Sequence, residues 1–523
     1  MEKNTKQIAG GAILSYVNVA LGAIITLLYT PFMIRILGQS EYGLYNTVSS
    51  VIASLSLLSL GFGSCYVKFY SRYKACDDKK QIESLNGMFM IIFIFIGIIS
   101  FVVGTLLSAN LDLVFGNGLT EFELKKARIL MIILTINLSL SFPASVFTSI
   151  ITASERFIFQ KIVMLLKQSI SPLICIPILL MGYASIGIVC GTVFIYILLD
   201  IINWYYCVSK LGARFNFRHF HWNLLKEMAV YSGFIAINML VDQVNLNIDK
   251  FLLGRFCGTG AVAVYSAGFT LYMYFSSFST SISNVFIPRI HKIWSNNHLS
   301  CDEKDAVLSD LFSLVGRIQF SILMLVVTGI VLFGKQFIRI WAGDGYENAY
   351  YVLLLLATSA VVPLSQNLGI EIQRAKNKHQ FRAILYLAMA MINLLLSVYL
   401  CQKYGEIGSA LGTALSFVIA NTICMNWFYK KVIHIDISKY WKNSTRIMVF
   451  SIPPLILGMF FCKMVNTYNI VWLFCGICVY TAIYCVFIFL SCDEHQRRNI
   501  TGLIKGAGRR VNRMLHLKKG EIK

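Results

Sequence analysis

Tyr231–Arg255 reads YSGFIAINMLVDQVNLNIDKFLLGR, and it sets the architecture expected of the whole chain. It has the length and apolarity of a membrane-spanning helix, yet it carries Asn238, Asp242, Asn245 and Asp249. These four step by four, three and four positions, which places them on one face of a 3.6-residue helix. Ile235, Ile237, Leu240, Val241, Leu246 and Ile248 cover the other faces. Carboxylates at bilayer depth are costly and therefore face other protein or a watery cavity. One polar stripe on an otherwise apolar helix predicts a water-accessible pathway along it.

The rest of the chain is built the same way. Of its 523 residues, 57% are hydrophobic and only 14% charged, where a soluble protein carries about 25% charged residues. Mean hydropathy is +0.67. Apolar runs of about 20 residues recur from end to end, so the composition predicts an all-α polytopic membrane protein without a large soluble domain. A formal charge of +21 would suggest nucleic acid in a soluble protein. Here the basic residues cluster in alternate loops, so the positive-inside rule accounts for them and anionic lipids are the expected partners.

Most of the 14 cysteines lie inside apolar runs, where they behave as small hydrophobes. Cys475 and Cys478 form a C-x-x-C within a span, with no second pair to complete a metal site. No metal or cofactor is expected. The apolar run after Met1–Gln7 is too long for a cleavable signal, and no A-x-A site follows, so the first helix is expected to stay as a signal anchor.

The length criterion predicts about fourteen spans, at roughly 8–34, 43–67, 86–108, 127–151, 160–181, 185–208, 229–253, 261–288, 311–333, 348–371, 381–401, 407–429, 446–466 and 469–491. Basic clusters follow the second span (Lys68, Arg72, Lys74, Lys79, Lys80), the sixth (Lys210, Arg214, Arg218, Lys226), the tenth (Arg374, Lys376, Lys378, Arg382) and the twelfth (Lys430, Lys431, Lys439, Lys442, Arg446). Fourteen spans put them all on one side, with both termini cytoplasmic. The opposite loops are short or acidic, as at Asp112, Glu121 and Glu123, with Lys125, Lys126 and Arg128 a local exception. After Asp493 a basic tail carries Ile500, Leu503, Ile504, Val511, Met514 and Leu515, a pattern for an amphipathic helix on an anionic surface.

The chain also repeats. Tyr183, Ile186, Gly187, Gly191 and Thr192 match Tyr404, Ile407, Gly408, Gly412 and Thr413 at one constant offset. Near that offset, Ala153…Arg156 matches Ala375…Lys378, Tyr45 matches Tyr265, and Lys68 matches Arg289. Pairing Leu37-Gly38 with Leu253-Gly254 requires a gap of about six residues in the first loop. Spans one to six thus recur as spans seven to twelve in the same orientation. This gives an N-terminal six-helix bundle over 1–210, a second over 229–431, an extra helix pair over 445–491 and a basic tail over 493–523. In parallel-repeat transporters the substrate sits between the halves, and rocking of one against the other gives alternating access.

Leu37-Gly38-Gln-Ser-Glu-Tyr42-Gly43-Leu44-Tyr45 resembles the signature of polysaccharide exporters and O-antigen flippases of the Wzx type. These belong to the multidrug/oligosaccharidyl-lipid/polysaccharide export superfamily. Asp249-Lys250-Phe-Leu-Leu253-Gly254, Ala261-Val262-Ala263-Val264-Tyr265-Ser266-Ala267, Ala153-Ser-Glu-Arg156 and the Ile-Gly-x3-Gly pairs resemble the same family, in order along nearly the whole chain. Ala263 departs from the family's usual glycine, which bears on helix packing. The resemblance implies a V-shaped transporter of two six-helix bundles plus two C-terminal helices. It also implies a cargo: a polyprenyl-pyrophosphate-linked oligosaccharide, moved from the cytoplasmic to the outer leaflet of the cell membrane. A glycosyltransferase or polymerase of the same pathway is an implied partner.

That cargo suggests roles for particular residues. Pyrophosphate needs guanidinium or ammonium partners to leave water. Lys68 and Arg72 end the second span, and Arg289 and Lys292 end the eighth, so pseudo-symmetry sets two basic pairs at one mouth. Ordinary positive-inside anchoring is the alternative. Arg35, Lys250 and Arg255 lie near the other ends, as headgroup receivers or as snorkelling side chains. Asn238, Asn245 and Tyr265 are candidates for sugar hydroxyls, with the Ser- and Thr-rich second and eighth spans around them; helix packing is the alternative. Asp242 and Asp249 are candidates for a coupling cation or proton, or for structural pairs with basic residues. Glu371 and Arg374 are expected to form an interfacial pair, while Asp200 has no evident partner.

Two other readings bear weighing. A lipid II flippase or a cation-coupled drug exporter of the same superfamily fits the architecture, although a drug exporter needs twelve spans. A membrane glycosyltransferase or polymerase would need a large outer loop with catalytic acids or arginines, and the outer loops near 109–126 and 334–347 are short. No P-loop, H-E-x-x-H or nucleotide signature is present. The expectation is a transporter, not an enzyme.

Overall fold

Lipid offers no hydrogen bonds to the backbone, so a chain this apolar must satisfy its amides within helices. The computed structural model describes residues 2–59, 61–218, 222–378, 380–464 and 469–491, and among them every regular element is helical. The basic tail from 493 lies outside the described residues.

The first half comprises α1 (Glu2–Leu55), α2 (Phe62–Ala75), α3 (Lys79–Ala109), the short α4 (Leu111–Phe115), α5 (Glu121–Ala153), α6 (Phe157–Leu180) and α7 (Ala184–Ser209). The second comprises α8 (Trp222–Phe256), α9 (Thr259–Asn284), α10 (Ile287–Trp294), α11 (Cys301–Ala342), α12 (Asn348–Ser365), α13 (Leu368–Ala375), α14 (Gln380–Phe417) and α15 (Met425–Lys431). A π-helical stretch, Val418–Cys424, joins the last two. Then come α16 (Ile437–Met464) and α17 (Ile470–Leu490).

Ten helices among the described residues are long and apolar enough to cross a membrane. This is a multi-pass membrane protein. Two of the long helices continue across glycines that leave helical geometry, Gly38 in α1 and Gly405 in α14. Some helices also overrun their predicted spans at the end that carries the basic loops. α11 starts at Cys301 because Ser300 and Glu303 form a capping box that carries the helix beyond its apolar stretch.

The repeat is visible in the backbone. Left-handed φ recurs at Gly38 (74°) and Gly258 (84°), at Glu155 (59°) and Asn377 (58°), and at Ala184 (47°) and Gly405 (58°), each pair at the repeat spacing. Asp78 and Ser300, at the same spacing, both cap helix N-termini with their side chains. The equivalent of Gly38 is therefore Gly258. Gly254 stays helical inside α8, so the gap expected in the first loop is not needed.

Packing follows the same rule. α3 on α5, α1 on α6 and α5 on α7 recur as α11 on α12, α8 on α14 and α12 on α14. The extra helices α16 and α17 dock on α11. Tyr440 of α16 is fully buried against Phe312 and Phe320, while Gly458 and Gly476 let the pair approach Leu332 and Phe333 closely.

Candidate functional site

The polar face of α8 splits into two environments. Asp249 is 1% exposed. Its carboxylate accepts three hydroxyl hydrogen bonds, each 2.7 Å, from Tyr265 of α9 and from Ser409 and Thr413 of α14. Asn393, earlier on α14, donates to Thr413 at 3.4 Å, and Ser397 donates to Asn393 at 3.2 Å. Ser409 and Thr413 stand four apart on one helical face, as do Asn393 and Ser397. The kink at Gly405 folds those two faces toward Asp249. The result is one carboxylate in a shell of neutral oxygen donors.

Such a shell suits a proton or a hard cation of low charge. It does not suit a transition metal, and among the described residues no group of three or more His, Cys, Asp or Glu is placed to hold one. Tyr265, expected to face sugar, is fully buried with its hydroxyl committed to Asp249. In this structure it serves as a donor to that carboxylate.

Asp242, two turns earlier on the same face, is exposed. The charge that acts on it is Arg382, whose guanidinium lies 4.5 Å from the centre of the Tyr386 ring. Tyr386 in turn donates to Asn421 in the π-helical stretch. π-helical turns are frequent at functional sites, yet nothing in the local sequence pattern singled out Arg382 as more than a loop cation. Asn245 is half-buried, and the side chain of Asn238 lies outside the described residues. Lys250 sits over the Phe269 ring at 5.1 Å and feels the adjacent Asp249 carboxylate.

Basic side chains at the two ends behave differently. Arg35 and Arg255, related by the repeat, both reach across it. Arg35 donates to the Ile340 carbonyl at the end of α11, and Arg255 donates to the carbonyls of Val114 at 2.7 Å and Leu113 at 3.2 Å in α4. Neither snorkels. Glu123 accepts from Ser40 of its own half and Thr259 of the other, both at 2.6 Å. Gln39 donates to the carbonyls of Gly260 and Gly345, and Trp341 to that of Leu27 at 2.8 Å. At Gly43 the halves come so close that a Cβ would lie 1.8 Å from the Thr259 carbonyl oxygen. All these contacts lie at the end opposite the basic loops. Two of the three unexpected cations there are locally neutralised, Lys126 by Glu41 and Arg128 by Asp112 at 2.7 Å.

At the basic end, Lys68, Arg72, Arg289 and Lys292 are all exposed. α2, which bears the first two, packs on α3, α5 and α8; α10, which bears the others, packs on α11 and α13. Arg72 lies 3.7 Å from Glu227 at the start of α8. Arg374 pairs with Glu371 at 2.6 Å, as expected. Asp200, which lacked an evident partner in the sequence, pairs with Lys167 of the neighbouring helix at 3.0 Å. An apolar cavity of about 490 Å³ lies between α9, α11, α12 and α17, lined by Leu271, Phe275, Phe333, Phe337 and Ile477 among others.

Comparison with known proteins places this arrangement. A Shigella flexneri protein described as an O-antigen transporter is 20% identical over 424 residues, covering 78% of this chain and 95% of its own. A Haloferax volcanii protein described as a low-salt glycan biosynthesis flippase is 25% identical over 198 residues, 37% of this chain and 39% of its own. The fold is similar to that of the lipid II flippase MurJ in an inward closed conformation, with a TM-score of 0.70 at 17% identity over 92% of this chain and 98% of that one. The family model described as polysaccharide biosynthesis protein matches residues 8–294, more than half of the chain. The chain belongs to that polysaccharide biosynthesis protein family.

Proposed function

We propose that this protein is a flippase that carries a polyprenyl-pyrophosphate-linked oligosaccharide across the plasma membrane by alternating access. The observation that carries the reading is the concentration of crossing hydrogen bonds at the end opposite the basic loops, above all those of the repeat-related Arg35 and Arg255. At the basic end, by contrast, the halves meet through the 3.7 Å approach of Arg72 to Glu227 and the packing of α2 on α8. A transporter held shut at its outer end, with its cations at the other, is poised to receive an anionic cargo from the cytoplasm.

In this reading α8 and α9 join the ten candidate helices, and α1 and α14 each count as two spans, divided at Gly38 and Gly405, so the spans total fourteen. Residues 1–210 and 229–431 form the two arms of a V, 445–491 an added pair, and both termini are cytoplasmic by the positive-inside rule. Lys68, Arg72, Arg289 and Lys292 collect the pyrophosphate at the cytoplasmic mouth. Asp242 and Arg382, with Asn245, line the way inward. The apolar cavity beside α17 accommodates part of the prenyl chain. The Asp249 cluster takes the coupling proton or cation. Arg35 and Arg255 are freed for the headgroup when the outer end parts. Anionic lipids and a glycosyltransferase or polymerase complete the expected surroundings.

The test is flipping of a fluorescent polyprenyl-pyrophosphate oligosaccharide in proteoliposomes, comparing wild type with folded Arg289→Ala and Asp242→Asn. Protein-dependent flipping that is lost in Arg289→Ala supports the cargo and the basic mouth. A wild type that moves no such lipid but exports cationic drugs would sink the flippase reading. Flipping that survives Arg289→Ala removes that residue from the site.

A further inference from the structure

Two cysteines meet beside the Asp249 cluster, on its side toward the end opposite the basic loops. Cys257 lies in the turn between α8 and α9 and is exposed; Cys401, near the end of the first leg of α14, is buried. Their sulfurs are 3.4 Å apart, and the Cys257 sulfur lies equally close to the Cys401 carbonyl oxygen. A disulfide needs about 2.05 Å, a closure of roughly 1.4 Å. Packing of small hydrophobes explains Cys401 but not the exposed Cys257. The Cys401 thiol hydrogen-bonds to Cys257 and, against the opposing effect of burial, holds it below the usual thiol range. That favours the thiolate, the form that attacks disulfides.

We propose that Cys257 and Cys401 form a disulfide that staples α8 to α14 beside the Asp249 cluster. Cys257 lies eight positions beyond Asp249 on α8, and Cys401 eight beyond Asn393 on α14. The bond therefore clamps the two helices that carry the carboxylate and its oxygen shell, about two turns from both. The oxidised protein keeps the shell assembled around Asp249. The reduced protein, whose shell is also assembled in this structure, lacks that covalent clamp.

The oxidant is an external protein disulfide, as found outside the cytoplasm. The Cys257 thiolate attacks one of its sulfurs, forming a mixed disulfide and expelling the other sulfur as thiolate. Cys401, deprotonated, then attacks the Cys257 sulfur and expels the second thiolate. The two cysteines give up two protons and two electrons, and the external disulfide becomes a dithiol. This inference rests on the proposed orientation, in which that end of the protein faces outward.

The full-length protein in aerated cells is quenched with N-ethylmaleimide, digested without reductant and analysed by mass spectrometry. The expected result is a peptide linked through Cys257 and Cys401, absent after dithiothreitol and in Cys257→Ser. Dithiothreitol is further expected to lower the Tm of purified wild type and leave that of Cys257→Ser unmoved. Recovery of both cysteines as maleimide adducts in quenched cells overturns the proposal, as does a link that forms only with copper phenanthroline in detergent. Orientation is tested separately, with a membrane-impermeant maleimide on intact, reduced cells. Labelling of Cys257 only after permeabilisation counts against the topology, whereas absence of the linked peptide despite labelling from outside counts against the pairing alone.

Discussion

The two halves hold the same cluster in two chemistries. Asp249, Tyr265, Asn393, Ser397 and Thr413 correspond, one repeat earlier, to Tyr29, Tyr45, Ser171, Cys175 and Thr192. The first-half set is assembled in the same way: Cys175 lies 3.5 Å from Thr192 and beside Tyr29, and Ser171 lies 3.4 Å from Thr192. A tyrosine stands where the second half has a carboxylate. The exchange runs the other way at Asp200, whose equivalent is Asn421. In the first half that acid is tied to Lys167, which also sits 4.8 Å from the centre of the Tyr196 ring. In the second half the amide accepts from Tyr386. One scaffold thus carries an acid without a basic partner in its second half and a neutralised acid in its first. In the proposed mechanism, coupling to a proton or cation is therefore assigned to the second half.

Removing each central group tests this contrast hardest. Asp249→Asn is expected to cut ion-driven flipping in proteoliposomes by about 10- to 100-fold, the scale of a lost partner to a bound ion. Tyr29→Phe is expected to stay within about twofold of wild type. Equal losses in the two variants would erase the distinction between the halves.

The paired acid makes a stability test. Lys167→Ala leaves Asp200 alone in the membrane. Removing one partner of a fully buried pair costs about 3–5 kcal/mol. Here the side chains remain 31% and 21% exposed, so a loss of about 1–3 kcal/mol is expected in detergent melts. Lys167→Met with Asp200→Asn should recover most of it.

A finer contrast sets Tyr265→Phe against Tyr45→Phe. The first deprives a buried carboxylate of one of its three donors and should cost about 1–3 kcal/mol. The second removes no contact with a carboxylate and should cost about 0.5 kcal/mol. Thr259→Val then tests the closed end. Losing its bond to Glu123 should weaken closure by about 0.5–1.5 kcal/mol, a shift of roughly 2- to 10-fold in the closed population. Faster amide exchange across residues 256–262 would report it. The smallest effect is expected from Arg374→Ala, whose bond to Glu371 sits at the surface and is worth less than about 1 kcal/mol.

How far the sequence reached varies by residue. The stripe on α8 was legible because helical spacing is local: steps of four, three and four can only share a face. The different fates of Asp242 and Asp249 were not, because they depend on where α9 and both legs of α14 close over α8. Lys167 and Asp200 lie on separate, adjacent helices, so their pairing appears only when those helices pack. Tyr265 illustrates the converse. Its position in a polar span suggested contact with cargo, and packing buries its hydroxyl against Asp249 in this structure.

Order along the chain is enough to establish an all-helical membrane protein with a duplicated plan, since apolar length, loop charge and a fixed repeat spacing are all properties of residues taken in sequence. Packing in three dimensions settled the rest: which acid is sealed, which arginines cross between the halves, and that Cys257 meets Cys401 from a distant part of the chain. A kink at one glycine can swing a whole leg of helix onto a carboxylate whose own neighbourhood in the chain gives no sign of it.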